Sequence, residues 1–213
     1  MKSTTARTLV LAAALGACGV AQADTIFDTG TPEPGFLGYY GFDVFVDQSV
    51  AIAFTPDQDY TLDSVGVWMM SNDFDNPGAP YTLSVRTDAA GGMTIPGDTV
   101  IESWDVQTAA VGWTPILETV NSVLNPVLTA GTTYWIVAES DSPAFVDAVW
   151  VASSQDEPVW HSVQNAFNPD GAWISGYTQG APGLIVSGTV VPAPGALAAL
   201  GMAGIVGTRR RRR

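Results

Sequence analysis

The chain of 213 residues carries one histidine, His161, one cysteine, Cys18, and 21 carboxylates. These groups bound the chemistry open to it. His161 lies in Val159-Trp160-His161-Ser162-Val163, where a Ser-His-Asp set is possible by residue type. No Gly-x-Ser-x-Gly elbow marks a nucleophile, so the residue reads as an ordinary strand histidine. Zinc needs several His or Cys ligands, which one histidine and one cysteine do not supply. Glycoside hydrolysis needs only two carboxylates flanking a sugar, but no local pattern selects two of the 21. The chain therefore reads as non-enzymatic, with no catalytic residue assigned.

Calcium fits the composition better, because hard cations take oxygen ligands. Acidic and amide residues cluster in Asp57-Gln58-Asp59 and in Asn72-Asp73-Phe74-Asp75-Asn76, the latter before a Pro-Gly turn. In an EF-hand frame Asp73, Asp75 and Gly78 would take the first, third and sixth positions. Pro77 is a poor fifth ligand and Ser84 replaces the terminal glutamate, so the segment is not an EF-hand. Two readings stay open: a calcium site at Asp73 and Asp75, or a solvated turn whose side chains bond their own backbone. Aromatic chemistry is the third option. All seven tryptophans fall between residues 68 and 173, and indoles stack on sugar C–H faces. Trp160 and Trp173, beside the polar stretch from Gln164 to Gly171, are the candidate glycan platform. Trp68 and Trp135 sit inside strand patterns and are expected to be buried.

Charge is distributed unevenly. Of eight Lys and Arg, only Arg86 lies between residues 24 and 191, whereas every Asp and Glu does, which leaves that segment near −20. Such a surface rejects nucleic acid and anionic lipid, and suits cations, counter-charged polymers or a saline medium. The remaining basic residues stand at the two ends. Lys2 and Arg7 precede the apolar Leu9 to Ala17 and the small-x-small site Ala21-Gln22-Ala23, the pattern of a signal peptide over residues 1–23. Cleavage by signal peptidase after Ala23 would remove Cys18. The alternative, Leu15-Gly16-Ala17-Cys18, resembles a lipobox in which Cys18 would be lipidated. At the other end Ala196 to Val206 is apolar. With its flanks, Gly195 to Thr208, it is ~21 Å long as a helix at ~1.5 Å per residue, short against a ~30 Å bilayer core. Arg209, Arg210, Arg211, Arg212 and Arg213 then form a stop-transfer block that stays inside, placing the acidic segment outside.

Val191-Pro192-Ala193-Pro194-Gly195, the apolar run and the arginine block together resemble the PEP-CTERM sorting signal, with Ala193 where that signal has glutamate. The resemblance implies that an exosortase cuts near the prolines and passes the protein to the cell surface or extracellular matrix of a cell that makes exopolysaccharide. It covers residues 191–213 only.

Residues 24–190 are long enough for one core and alternate with a period of two. Leu83 and Val85 stand against Thr82, Ser84 and Arg86, and Val65, Val67 and Met69 share one face. Gly and Pro turns at Asn76-Pro77-Gly78, Ala90-Gly91-Gly92, Pro96-Gly97-Asp98, Asn168-Pro169-Asp170-Gly171 and Ala181-Pro182-Gly183 divide about ten short strands. Eight are placed: 50–54, 60–70, 81–87, 99–104, 132–139, 146–152, 159–163 and 184–190. Residues 109–126, interrupted by Pro115 and Pro126, are not assigned. The expected fold is all-β: a single jelly-roll-like β-sandwich ectodomain between a signal peptide and a short C-terminal transmembrane helix. Ser49 to Pro56 leading into Tyr60 to Val65, and Ala130 to Val137, resemble the choice-of-anchor extracellular β domains, which implies a fold and no activity. Three functions follow. The first is a non-enzymatic structural or adhesive matrix protein associated with exopolysaccharide. The second is a calcium-assisted glycan-binding module, and the third a glycoside hydrolase.

Overall fold

Extended chain sends alternate side chains to opposite faces, and Tyr60–Ser71 uses this to build both sides of a sheet. Val65, Val67 and Met69 point inward and are at most 1% exposed. Trp68 and Met70 point the other way and pack with Val149 and Val151. The computed structural model describes residues 23–89, 95–153, 161–165, 172–177 and 180–192. They form thirteen strands: β1 Asp24–Asp28, β2 Gly41–Val44, β3 Gln48–Phe54, β4 Tyr60–Ser71, β5 Pro80–Asp88, β6 Pro96–Gln107, β7 Ile116–Asn121, β8 Val127–Leu128, β9 Tyr134–Glu139, β10 Ala148–Val151, β11 His161–Asn165, β12 Trp173–Tyr177 and β13 Leu184–Val190. No helix occurs among the described residues.

The strands make two antiparallel sheets. A seven-stranded sheet runs β1-β13-β4-β10-β2, with β7 and β8 also paired to β4, and a six-stranded sheet runs β12-β11-β3-β9-β5-β6. One core fills the space between them. Val50, Ile52, Leu83, Val85 and Ile136 from the six-stranded sheet meet Leu62, Val65, Val67, Met69, Trp150, Leu184 and Val186 from the seven-stranded one. A row of rings continues it, with Phe27 6.0 Å and Tyr134 5.9 Å from Phe54 between centroids. The inward and outward sets read from the sequence for Leu83 and Val85, and for Val65, Val67 and Met69, are the sets observed. Each of the eight expected strands has a counterpart, shifted by a few residues at the ends.

Five strands escaped the sequence reading: β1, β2, β7, β8 and β12. β7 falls in the unassigned stretch. Pro115 and Pro126 do not interrupt it. They stand outside its ends, where no ladder amide is required, and its half-buried and exposed residues alternate along the whole of Ile116–Asn121. The expectation for Trp68 is corrected, since it is half-buried on the outer face and not in the core. Trp135 is fully buried, but on the outer face of the six-stranded sheet, against Ala51, Ala53, Val137 and Trp173.

The loop after β7 is held by one buried carboxylate. Glu102 on β6, 5% exposed, accepts from Ser122 Oγ at 2.5 Å and from the amides of Val123 at 2.6 Å and Leu124 at 3.1 Å. Burial pushes its pKa up, but these three donors outweigh burial and leave it below the ordinary glutamate value. A lowered folded-state pKa stabilises the fold above the ordinary glutamate value, and this contribution is lost as pH falls through the lowered one. Glu102→Gln is therefore expected to cost about 1.5–3 kcal/mol at neutral pH, the worth of a charge-assisted hydrogen bond. Urea unfolding should show the gap between the two proteins closing as the medium becomes acid.

Candidate functional site

The residues singled out in the sequence meet different fates. Trp160 lies outside the described residues. Trp173 opens β12 and is half-buried against Ala51, Ala53, Trp135 and Val137, so much of its ring is occupied by packing. The backbone of His161 pairs with Ile52 of β3 and Tyr177 of β12. Asp73 Oδ1 accepts the amides of Asp75 and Asn76, each at 2.9 Å. These two amides hold the Asp73 carboxyl below its ordinary value. The carboxylate thus closes its own loop, as an Asx turn does, and Asp75 is exposed. Among the described residues no group of three or more His, Cys, Asp or Glu is placed to hold a metal ion. Of the tail, Val191 and Pro192 are described, and the Val191 amide donates to Asp59 O at 2.8 Å. Ala193, Pro194, Gly195 and Arg209 to Arg213 lie outside, as do residues 1–22. No helix among the described residues is long and apolar enough to cross a membrane.

A different set converges on the outer face of the seven-stranded sheet. Asn72, directly after β4, sits at its centre. Its Nδ2 donates to Asp43 Oδ1 at 3.1 Å and to both carboxylate oxygens of Asp147 at 3.3 and 3.4 Å, and its Oδ1 accepts from the indole N–H of Trp113 at 3.0 Å. An indole N–H only donates and an ionised carboxylate only accepts, so one orientation of the amide satisfies all of them. The Asn72 backbone amide also donates to Asp147 O at 3.0 Å. Asp147 is fully buried. Burial pushes its carboxyl above the ordinary aspartate value, the Asn72 amide opposes this, and the charge of nearby Asp43 adds to the rise.

Trp113 is placed by its neighbour. Gly112 donates its amide to Asp73 O at 2.8 Å and accepts from the Ser71 amide at 3.0 Å. Its φ of 59° is left-handed, and a Cβ there would stand 2.8 Å from the Phe74 ring, so glycine meets both demands at once. Phe74 and Trp113 then abut, centroids 5.7 Å apart and planes at 58°, a tilted ring pair. Trp113 remains 54% and Phe74 63% exposed. Trp113, Asn72 and Asp43 share a cavity of about 210 Å³ with Tyr39 and Tyr40, floored by Met70 and Val149. Gly41 forms part of its wall because β2 runs so close to β10 that a Cβ there would meet Trp150 O at 2.4 Å.

A larger cleft of about 550 Å³ lies where Pro80 to Thr82 face Asp105 to Gln107 and Ser140 to Asp141. Its one aromatic residue, Tyr81, is 3% exposed and donates its hydroxyl to Glu118 Oε2 at 2.6 Å. That cleft therefore offers no free ring. Arg86 is also distant in topology, on β5 of the other sheet, paired to Glu139 and donating from Nε to Ser84 Oγ at 3.0 Å. As no other Lys or Arg lies between residues 24 and 191, the face around Trp113 is supplied with acceptors and rings and with no cation from its own sheet.

Sequence reasoning passed over Trp113 because it stands in the stretch where no strand was assigned. Its signal was present in Val111-Gly112-Trp113-Thr114-Pro115: an indole between a glycine and a proline is not in a strand interior. Asn72 and Phe74 belong to the acidic segment already chosen for calcium, so the loop was found for a different chemistry. A scan against protein families finds no match to this chain, and a search of curated proteins finds none.

Proposed function

We propose that this is an exported cell-surface or matrix protein whose β-sandwich, jelly-roll-like in type, is non-enzymatic and adheres to exopolysaccharide. The observation that carries the adhesive part is the half-exposed Trp113, braced by Phe74 and fixed through Asn72 beside the outer face of the seven-stranded sheet. Two carboxylates of unlike environment, Asp43 and Asp147, lie beside it, which is the ingredient list of a glycosidase. Asp147 is fully buried and bonded to Asn72. A general acid must reach the leaving oxygen directly or through one water, so the pair favours holding a sugar over cutting it. The export part rests on the signal-peptide pattern of residues 1–23, on the acidic segment with a single cation, and on the resemblance of Val191 to Gly195 and Arg209 to Arg213 to an exosortase sorting signal.

The test is cosedimentation of the purified full-length chain with the producing cell's own matrix polysaccharide, in calcium and in chelator. Saturable cosedimentation is expected in both, since the Asp73 carboxylate is already engaged by amides of its loop. Cosedimentation in calcium alone would favour the calcium-assisted module instead. Depolymerisation of the polysaccharide during incubation would overturn the non-enzymatic reading.

A further inference from the structure

The cavity beside Trp113 has a composition that selects among sugars. Its lining offers the exposed Asp43 carboxylate, which only accepts hydrogen bonds, and the Tyr39 and Tyr40 hydroxyls, which donate or accept. The Asn72 N–H donors are consumed by Asp43 and Asp147, and its oxygen accepts from the Trp113 indole. No Lys or Arg stands anywhere on this sheet. A ligand that brings donors to Asp43 and an apolar face to the indole is therefore favoured, and one that brings a negative charge meets the Asp43 carboxylate with no Lys or Arg of this sheet to offset it. At about 210 Å³ the cavity is below the roughly 300 Å³ at which pockets for larger small molecules begin, which suits one ring of a polymer.

We propose that this cavity is a saccharide subsite that takes a single uncharged pyranose ring, stacked on Trp113 with its hydroxyls donating to Asp43, and that it rejects uronic-acid units. This rests on the adhesive reading above and narrows it to one sugar class and one place. Tyr40, 57% exposed, stands at the rim and extends the apolar contact beyond the indole. Asn72 is a positioning residue: it ties the indole edge to Asp43, so that ring and acceptor keep a fixed separation. Asp147 anchors that amide from below without touching the sugar.

Calorimetric titration of the purified full-length chain with cellohexaose, mannohexaose and a hexaguluronate tests this. At least one neutral hexaose is expected to bind, and the uronate is expected not to. Trp113→Ala should weaken the neutral hexaose at least about tenfold, the loss expected of a stacked anchor ring, while Trp113→Phe should retain part of the affinity. Asp43→Ala should weaken it as well, while Trp113→Phe, which keeps a ring against Phe74, should unfold in urea close to the parent. Binding of the uronate as tightly as the neutral hexaoses, binding unaffected by Trp113→Ala, or no binding of either neutral hexaose would overturn the proposal. If Trp113→Ala still cosediments fully with the native matrix polysaccharide, the adhesive function stands and this subsite fails.

Discussion

Trp150→Ala is expected to remove about 3–5 kcal/mol from the stability of the sandwich, the usual cost of deleting a fully buried large aromatic ring. Trp150 lies mid-strand on β10, opposite Phe42 of β2 and Met69 of β4, and is completely buried in the core shared by both sheets. Its indole N–H donates to Gly183 O at 2.9 Å in a buried bond. The same carbonyl accepts the Trp68 amide at 3.0 Å, so the oxygen keeps one partner and the loss is dominated by the cavity. Domains of this kind hold about 5–15 kcal/mol in all, so the variant should lie near the edge of folding. Urea denaturation would show the midpoint falling steeply with an unchanged slope. Trp113→Ala removes a half-exposed ring, its contact with Phe74 and one hydrogen bond to Asn72, so it should cost about 1 kcal/mol, well below the loss at Trp150. Similar losses in the two variants would contradict the placement of Trp150 inside and Trp113 outside.

Replacing Arg209 to Arg213 with asparagine is expected to change where the protein is found, with no change in its fold. The arginine block follows an apolar run too short for a comfortable span, so under the proposed sorting the retention of that end would depend on the charges that resist translocation. Without them the apolar segment should slip through the membrane, and the uncut precursor should leave the cell envelope for the medium. Immunoblots of envelope and medium would measure the ratio. An unchanged ratio would mean that the basic block does not hold the chain in the membrane, and the sorting proposal would lose its anchor.

Strand alternation made most of the sandwich legible. Val65, Val67 and Met69 read as one face of β4, because a period of two leaves no other grouping for an extended chain, and the opposite face, with Trp68 and Met70, is covered as well. What the sequence could not say was how many faces are covered. β9 is buried through Tyr134 to Ala138 on both sides, so Trp135 is buried as its strand pattern implies, yet on the opposite face from the main core. Short strands such as Gly41–Val44 hold too few residues for alternation to rise above chance, and β2 owes its place to close packing on β10 that only glycine at 41 allows. The Trp113 site was hidden for another reason. It joins Asp43, Asn72, Trp113 and Asp147, which come from four separate parts of the chain, and no local spacing reports that β4, β10 and the segment before β7 meet there. The carboxylates of Asp73 and Asp147 look alike in sequence, yet one serves a turn and the other is buried beneath an amide.

The most direct measurement is fractionation of the full-length protein in its own cells, comparing the parent strain with one unable to make its exopolysaccharide. The expected result is a mature chain beginning at Asp24, recovered with the matrix in the parent and released into the medium when the polysaccharide is missing. An unprocessed chain in the cytoplasm, or equal recovery on the cell surface in both strains, would contradict the claim that this sandwich is exported to hold polysaccharide.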